Sequence, residues 1–175
     1  MSLATLTRRC CRLLASLLLS VPLVAQASFT TVGTGCQGVG LSSTGLPRLG
    51  TTFFVGYSGA LGNQFLGLYS YINQPVLLLG TSNTQAGGVA LPVALPTTMT
   101  AGVVCELLVS PDVTMVLPMS TPPPFGLPIA IPATVGLVGF TFHAQWLLLS
   151  ERSYFGQVQW LRAFLSNAGT AVVGP

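Results

Sequence analysis

Proline and glycine occur throughout residues 22–175 and restrict the secondary structure that the chain can form. The 175 residues include 13 prolines and 20 glycines. Because proline lacks a backbone N–H and is rarely tolerated inside a helix, this distribution argues against a helical fold. From residue 28 onward, glycine, proline, asparagine or serine interrupts the chain about every 8–12 residues. The sequence therefore predicts an all-β fold, a single antiparallel β-sandwich of jelly-roll or immunoglobulin-like form with about 8–10 strands.

The runs between these breaks are rich in β-branched and aromatic residues, which favour strands. The predicted strands are 51–57, 65–72, 76–80, 88–95, 104–109, 113–119, 126–131, 137–149, 160–166 and 170–173. One segment has an alternative interpretation as a short helix, since Val158, Leu161 and Leu165 in QVQWLRAFLSN, residues 157–167, have helical spacing.

The run LVGFTFHAQWLLL, residues 137–149, alternates in a way that predicts one buried face and one solvent face. The predicted core side consists of Val138, Phe140, Phe142, Ala144, Trp146 and Leu148. Thr141, His143 and Gln145 have the opposite parity and are predicted to face solvent. On this basis, replacing His143 with glutamine is expected to change stability by about 0.5 kcal/mol or less.

The first 27 residues have the pattern of a secretory signal peptide. Arg8, Arg9 and Arg12 precede an apolar run over 13–24, and Ala25-Gln26-Ala27 follows with the spacing of a cleavage site. Cleavage after Ala27 would release one β-sandwich domain, residues 28–175. We therefore expect a secreted protein, extracellular or periplasmic, with no integral membrane span after cleavage.

Few charged residues follow the predicted signal. They are Arg48, Arg152 and Arg162 against Glu106, Asp112 and Glu151. A chain with balanced charge and no basic patch cannot neutralise a phosphate backbone, so nucleic acid is excluded as a main partner.

Cys36 and Cys105 are the cysteines that remain after residue 27. Oxidising conditions after export favour a disulfide between them. Cys36 lies in GTGCQGVG, which has the G-x-G-x-x-G spacing of a dinucleotide-binding loop, but GLSSTGLPRLG follows where a helix is needed. The first acidic residue, Glu106, is also much too far along the chain to bind a ribose. The segment is better interpreted as a lead-in that presents Cys36 for the bridge.

An ordered set of motifs resembles a family of secreted modules. The motifs are G-x-G-C-x-G, SSTGLPRLGTTF, LLLGTSNT, LPVAL, CELLVSPD, LPIAIP, FTFHAQWLLL and LSNAG. Together they are similar to a glycine- and proline-rich two-cysteine β-sandwich module that recurs in extracellular proteins of planctomycete-type bacteria. The resemblance implies a two-cysteine β-sandwich module whose biochemical role is uncharacterised. It identifies no catalytic residues in this chain. Two stretches depart from the pattern, residues 61–73 and SERSYFGQVQW, and any individual specificity is expected there.

Residues suited to catalysis or metal binding are scarce. His143 is the only histidine, so a serine-hydrolase mechanism would depend on it, and Ser58 in GYSGA misses the nucleophile-elbow pattern at Ala60. One histidine, two cysteines expected to be bridged and three scattered acids do not make a transition-metal site. We therefore predict a non-enzymatic protein without metal or cofactor, with a hydrolase acting through His143 as a distant alternative.

Aromatic residues supply the remaining candidate site. Tyr69 and Tyr71 in FLGLYSYI share a parity, and Trp160 shares one with Arg162. An exposed strip of Tyr69, Tyr71 and Trp160 would stack on sugar rings, whereas the alternative is that these rings fill the core or an interface. The sequence thus supports two functions, a structural or interaction module that self-associates or binds another extracellular protein, and a carbohydrate-binding module.

Overall fold

The structure is a computed structural model that describes residues 25–59, 64–66, 69–98, 100, 102–118 and 125–175; for 64–66, 69–72 and 125 it describes the backbone alone. Within these ranges the chain forms strands and two short 3-10 turns, Cys36–Gly38 and Val135–Leu137, and no α-helix. The strands are β1 (Ser28–Val32), β2 (Gly40–Thr44), β3 (Thr52–Ser58), β4 (Gln64–Leu66), β5 (Tyr69–Gly80), β6 (Gln85–Ala86), β7 (Val89–Ala90), β8 (Val93–Ala94), β9 (Glu106–Leu107), β10 (Val113–Val116), β11 (Phe125–Ala130), β12 (Thr141–Tyr154) and β13 (Gln157–Val172).

The strands form one large antiparallel sheet and one small one. The large sheet has the order β1-β13-β12-β5-β10, with β4 also paired to β5, and the small sheet has the order β11-β3-β2. The described residues also form two short ribbons, β6-β7 and β8-β9, and an isolated parallel bridge between Arg48 and Gly174. The all-β antiparallel fold is confirmed, while its jelly-roll or immunoglobulin-like form stays a prediction.

The hairpin of β12 and β13 is longer than the sequence indicated. The predicted strand 160–166 and residues 170–172 of the predicted strand 170–173 belong to the single strand β13, and the alternative helix over 157–167 is not formed. The register shift between Gln145 and Leu147 places both Ser166 and Asn167 opposite Trp146, so a β-bulge lets the pairing continue. Pairing with β12 over this length satisfies backbone groups that a short helix would have left to solvent.

One face of the large sheet packs against the small sheet. Trp146, 1% exposed, contacts Tyr57 with ring centroids 5.2 Å apart and donates its Nε1–H to the carbonyl of Gly56 at 3.0 Å. The buried residues of this core include Val39, Leu41, Phe53, Val55, Leu77, Ala144 and Leu148. The predicted core positions Ala144, Trp146 and Leu148 are confirmed. Phe140 lies at the end of the sheet and is 46% exposed.

The opposite face of the large sheet is also covered, which corrects the predicted solvent face. His143 is 7% exposed and Gln145 is 0% exposed. The covering layer is the connection between β5 and β10, and its buried apolar cluster contains Cys36, Val76, Leu78, Cys105, Val109, Leu165 and Ala168. Residues with the parity of His143 therefore point into a second core rather than into water.

Gln145 holds this second layer in place. Its Nε2 donates to the carbonyls of Glu106 at 2.8 Å and Ser166 at 2.7 Å, and its Oε1 accepts from the backbone N–H of Leu108 at 2.9 Å. A buried amide is stable only when its polar atoms have partners, and these bonds provide them. Gln145 therefore points into the interior and connects β12 to β13 and to the covering connection by hydrogen bonds. The prediction that Gln145 faces solvent was wrong.

Candidate functional site

The cysteine pair is a structural element. Cys36 and Cys105 are bridged, with their Cα atoms 5.3 Å apart, and both side chains are buried in the second core. GTGCQGVG follows β1, as a dinucleotide loop would follow a strand, but it leads through a 3-10 turn into β2 and not into a helix. The Cys36 sulfur also accepts a hydrogen bond from the backbone N–H of Leu165 at 3.1 Å. The predicted disulfide is confirmed, and the stretch ties the N-terminal segment to β13.

His143 lies in a place that suits packing better than catalysis. Its Nδ1 is 3.0 Å from the hydroxyl of Thr170, its cross-strand neighbour on β13. Burial lowers the pKa of His143 from its ordinary value, so the imidazole is neutral near pH 7. In the hydrogen bonding described for this ring, the partner is a hydroxyl and not a carboxylate that would orient a general base.

This burial makes stability depend on pH. Because the folded pKa of His143 lies below its ordinary value of 6.5, the unfolded chain binds the proton first as the pH falls. The histidine contribution is therefore complete above about pH 6.5 and is lost progressively as the pH drops below that value. We expect the free energy of unfolding, measured by denaturant melts, to fall between pH 7 and pH 5, and the slope to flatten in His143→Gln. An unchanged slope in that variant would contradict the assignment.

The backbone register brings the predicted aromatic positions into neighbouring rows. Tyr71 on β5 is opposite Arg152 on β12, and Arg152 is opposite Trp160 on β13. Tyr69 is opposite Tyr154 in the next row. Trp160 is half-buried, and the Arg162 guanidinium lies 4.3 Å from its ring centroid. The side chains of Tyr69 and Tyr71 are outside the described part of the structure, so the exposed strip stays a prediction.

A small pocket adjoins these rows. It has a volume of about 200 Å³, and its polar lining consists of Gln37 and of Asn73 and Ser150, which are paired in register. Val39, Leu148 and Phe164 supply apolar lining. The combination of apolar walls with a few polar groups is typical of small-ligand sites, although this volume is below the usual range.

A second pocket, which we call the end pocket, lies where β12 begins. Its volume is about 270 Å³, and its apolar lining consists of Leu79, Val113, Ile129, Ile131, Phe140 and Phe142. Val113 and Phe140 are 52% and 46% exposed, so the pocket is open to the surface. A larger cavity of about 470 Å³ includes Ala25, Gln26 and Ala27 in its lining, which cleavage after Ala27 would remove.

Asp112 also lines the end pocket and is the acidic group there. Its Oδ2 accepts from the Thr81 hydroxyl at 2.7 Å, from the Thr81 backbone N–H at 2.8 Å and from the Ser110 hydroxyl at 3.1 Å. The hydrogen bonds from Thr81 are the main reason that the pKa of Asp112 is lowered. The end pocket thus combines an apolar interior with a carboxylate that stays ionised.

The β12–β13 hairpin carries exposed residues that sequence reasoning did not assign to a functional site. Tyr154 pairs with Gln157, which leaves Phe155 and Gly156 as a two-residue loop. Phe155 is 68% exposed, and Val158 and Leu161 on β13 are more than half exposed. The sequence carries only part of the signal, since Gly156 in SERSYFGQVQW suits the second position of a two-residue turn but Phe155 is not a usual residue for the first.

Other classes of site find no support in the described residues. Among these, histidine, cysteine, aspartate and glutamate form no group of three or more that would hold a metal ion. Across the same ranges, no helix has the length and apolar character needed to cross a bilayer. The chain matches no protein-family model, no curated protein and no solved structure.

Proposed function

We propose that this protein is a secreted structural module without catalytic activity, and that copies of it associate with one another. The observation that carries this proposal is the set of large apolar side chains exposed along one hairpin, Phe155, Val158 and Leu161. Exposed large apolar side chains that lie on one hairpin are typical of protein interaction sites. Tyr154, whose ring centroid is 4.7 Å from that of Phe155, extends the aromatic surface at the tip.

The low charge of the chain supports self-association. Arg48, Arg152 and Arg162 balance the three acidic residues beyond residue 27, so net repulsion between copies is small near pH 7. The disulfide is compatible with export, and the similarity to secreted planctomycete-type modules favours an extracellular role.

Carbohydrate binding is the second candidate, and the register of the large sheet favours it. Positions directly opposite one another in an antiparallel sheet share a face, so Tyr71 and Trp160 occupy one row on either side of Arg152. The Arg162 guanidinium lies 4.3 Å from the centroid of the Trp160 ring, so an arginine would take part in the proposed stacking surface together with the aromatic positions. The 200 Å³ pocket in the adjoining row would accept a polar substituent of a sugar.

Sedimentation velocity and calorimetry on the purified protein distinguish the two functions. We expect the average mass to rise over a concentration series from about 1 µM to about 1 mM, the range of weak protein contacts. Titration with neutral polysaccharides is expected to give no heat. A monomer at every concentration, together with glycan binding that Tyr71→Ala weakens by about 1–2 kcal/mol, would instead establish the carbohydrate function.

A further inference from the structure

The backbone conformation at Phe155 is one that phenylalanine rarely adopts. Phe155 has φ of 48° and Gly156 has φ of 76°, the positive pair that a type I′ hairpin turn requires. Asn-Gly is the preferred sequence for such a turn, because a bulky residue at positive φ is strained by its Cβ. With 68% of its surface exposed, Phe155 also gains little from burial within its own chain. A strained and exposed aromatic residue suggests a role outside the folding of the monomer.

The end pocket has the chemistry to receive such a ring. Val113, Phe140 and Phe142 give it apolar and aromatic walls, and its volume is about 270 Å³. An apolar cavity on the order of 150 Å³ holds a benzene ring. The end pocket therefore has room for one phenyl group with part of its backbone.

The hairpin tip and the end pocket lie at opposite ends of β12. Phe142 is near the first residue of this 14-residue strand, and Phe155 follows its last residue. At the rise of an extended strand, the two ends are roughly 40 Å apart. A ring on one copy cannot reach its own pocket, so a contact between these surfaces joins different copies head to tail.

Charge favours the same pairing. The hairpin carries Arg152 and Arg162 against Glu151, whereas the charged residue in the lining of the end pocket is Asp112. All three described hydrogen bonds to Asp112 end on Oδ2, which leaves Oδ1 as an acceptor for a guanidinium of another copy.

We propose that Phe155 of one copy inserts into the end pocket of the next, with an arginine of the same hairpin near Asp112. The inference rests on the self-association proposed above and names its two surfaces. Because the two surfaces differ, head-to-tail repetition of the contact generates chains or rings, whereas two antiparallel copies that exchange both contacts form a closed two-fold dimer.

Two variants of the purified protein test the proposal by sedimentation velocity. Phe155→Asn removes the ring and places Asn-Gly in the turn, so it should melt at or above the wild-type temperature while association weakens about tenfold or more. Val113→Asp places a charge in the pocket and should weaken association similarly. Val116→Asp, on the same strand but outside the pocket lining, is the matched control and should assemble like the wild type.

Mixing the two variants gives the sharpest result. At a concentration at which the wild type assembles and neither variant alone does, an equimolar mixture should form a particle of two chains, because one intact tip meets one intact pocket. A mixture that stays monomeric, or a Phe155→Asn protein that assembles like the wild type, overturns the head-to-tail contact but leaves self-association standing. A wild type that stays monomeric throughout the series overturns the proposed self-association itself.

Discussion

Replacing Trp146 with alanine is expected to lower the free energy of unfolding by about 3–5 kcal/mol in denaturant melts. The side chain is 1% exposed, packs on Tyr57 and belongs to the core between the two sheets. Truncation removes this packing and leaves a cavity. It also leaves the carbonyl of Gly56 without the indole N–H that now donates to it.

Trp160→Ala is the matched control, because the second tryptophan lies half-buried on β13 and contacts the Arg162 guanidinium. Its removal is expected to cost about 1 kcal/mol. Trp146→Phe should fall between the two, since it keeps most of the apolar volume but removes the indole N–H that donates to the Gly56 carbonyl. A larger loss at Trp160 than at Trp146 would contradict the assigned core.

Loss of the Cys36–Cys105 bridge is expected to lower the free energy of unfolding by about 4 kcal/mol. The cysteines are separated by 69 residues, so reduction frees a long loop in the unfolded chain. Both cysteines also contribute to the second core, which depends on the covering connection staying in place. The double variant Cys36→Ser with Cys105→Ser tests this by thermal and denaturant melts.

Dithiothreitol supplies the control for that experiment. It should destabilise the wild type by about as much as the double substitution does, and it should leave the double variant unchanged. Equal stability of the wild type with and without reductant, with reduction verified by thiol titration, would show that the bridge contributes little.

The spacing of apolar residues predicted the first core but not the second. Alternation correctly placed Ala144, Trp146 and Leu148 inside, because a strand with one apolar face must bury it. It wrongly placed His143 and Gln145 outside. Alternation shows which residues are polar, but it does not show whether another layer of the protein covers the face on which they lie. Their hydrogen-bond partners, Thr170 for one and three backbone groups for the other, come from distant parts of the chain. Only tertiary pairing makes such polar residues suitable for an interior.

Strand pairing also accounts for two strands that the sequence did not indicate. β1 and β2 are rich in small and polar residues and lie at sheet edges. The backbone groups on the outer side of an edge strand are not paired with another strand. β13 and β3 supply their pairing. β1 begins at Ser28, the residue after the predicted cleavage site, and the cleavage itself stays a prediction.

The sequence likewise indicated part of the candidate site, at the hairpin, but not the end pocket. Of the turn at Phe155-Gly156, the sequence indicates only the glycine, in SERSYFGQVQW, a stretch in which individual specificity was expected. The end pocket is not visible in the sequence, because its walls come from β5, β10, β11 and the start of β12. A local pattern predicts a hairpin, whereas a pocket depends on how distant strands meet.

Photo-crosslinking from position 155 tests the central claim most directly. A photoreactive benzoylphenylalanine in place of Phe155, in a mixture of isotopically light and heavy protein, would report which copy each crosslink joins. We predict crosslinks between light and heavy chains that map to the peptides containing Val113 or Phe140. Crosslinks confined to single chains, or links between copies that map elsewhere, would contradict the head-to-tail contact.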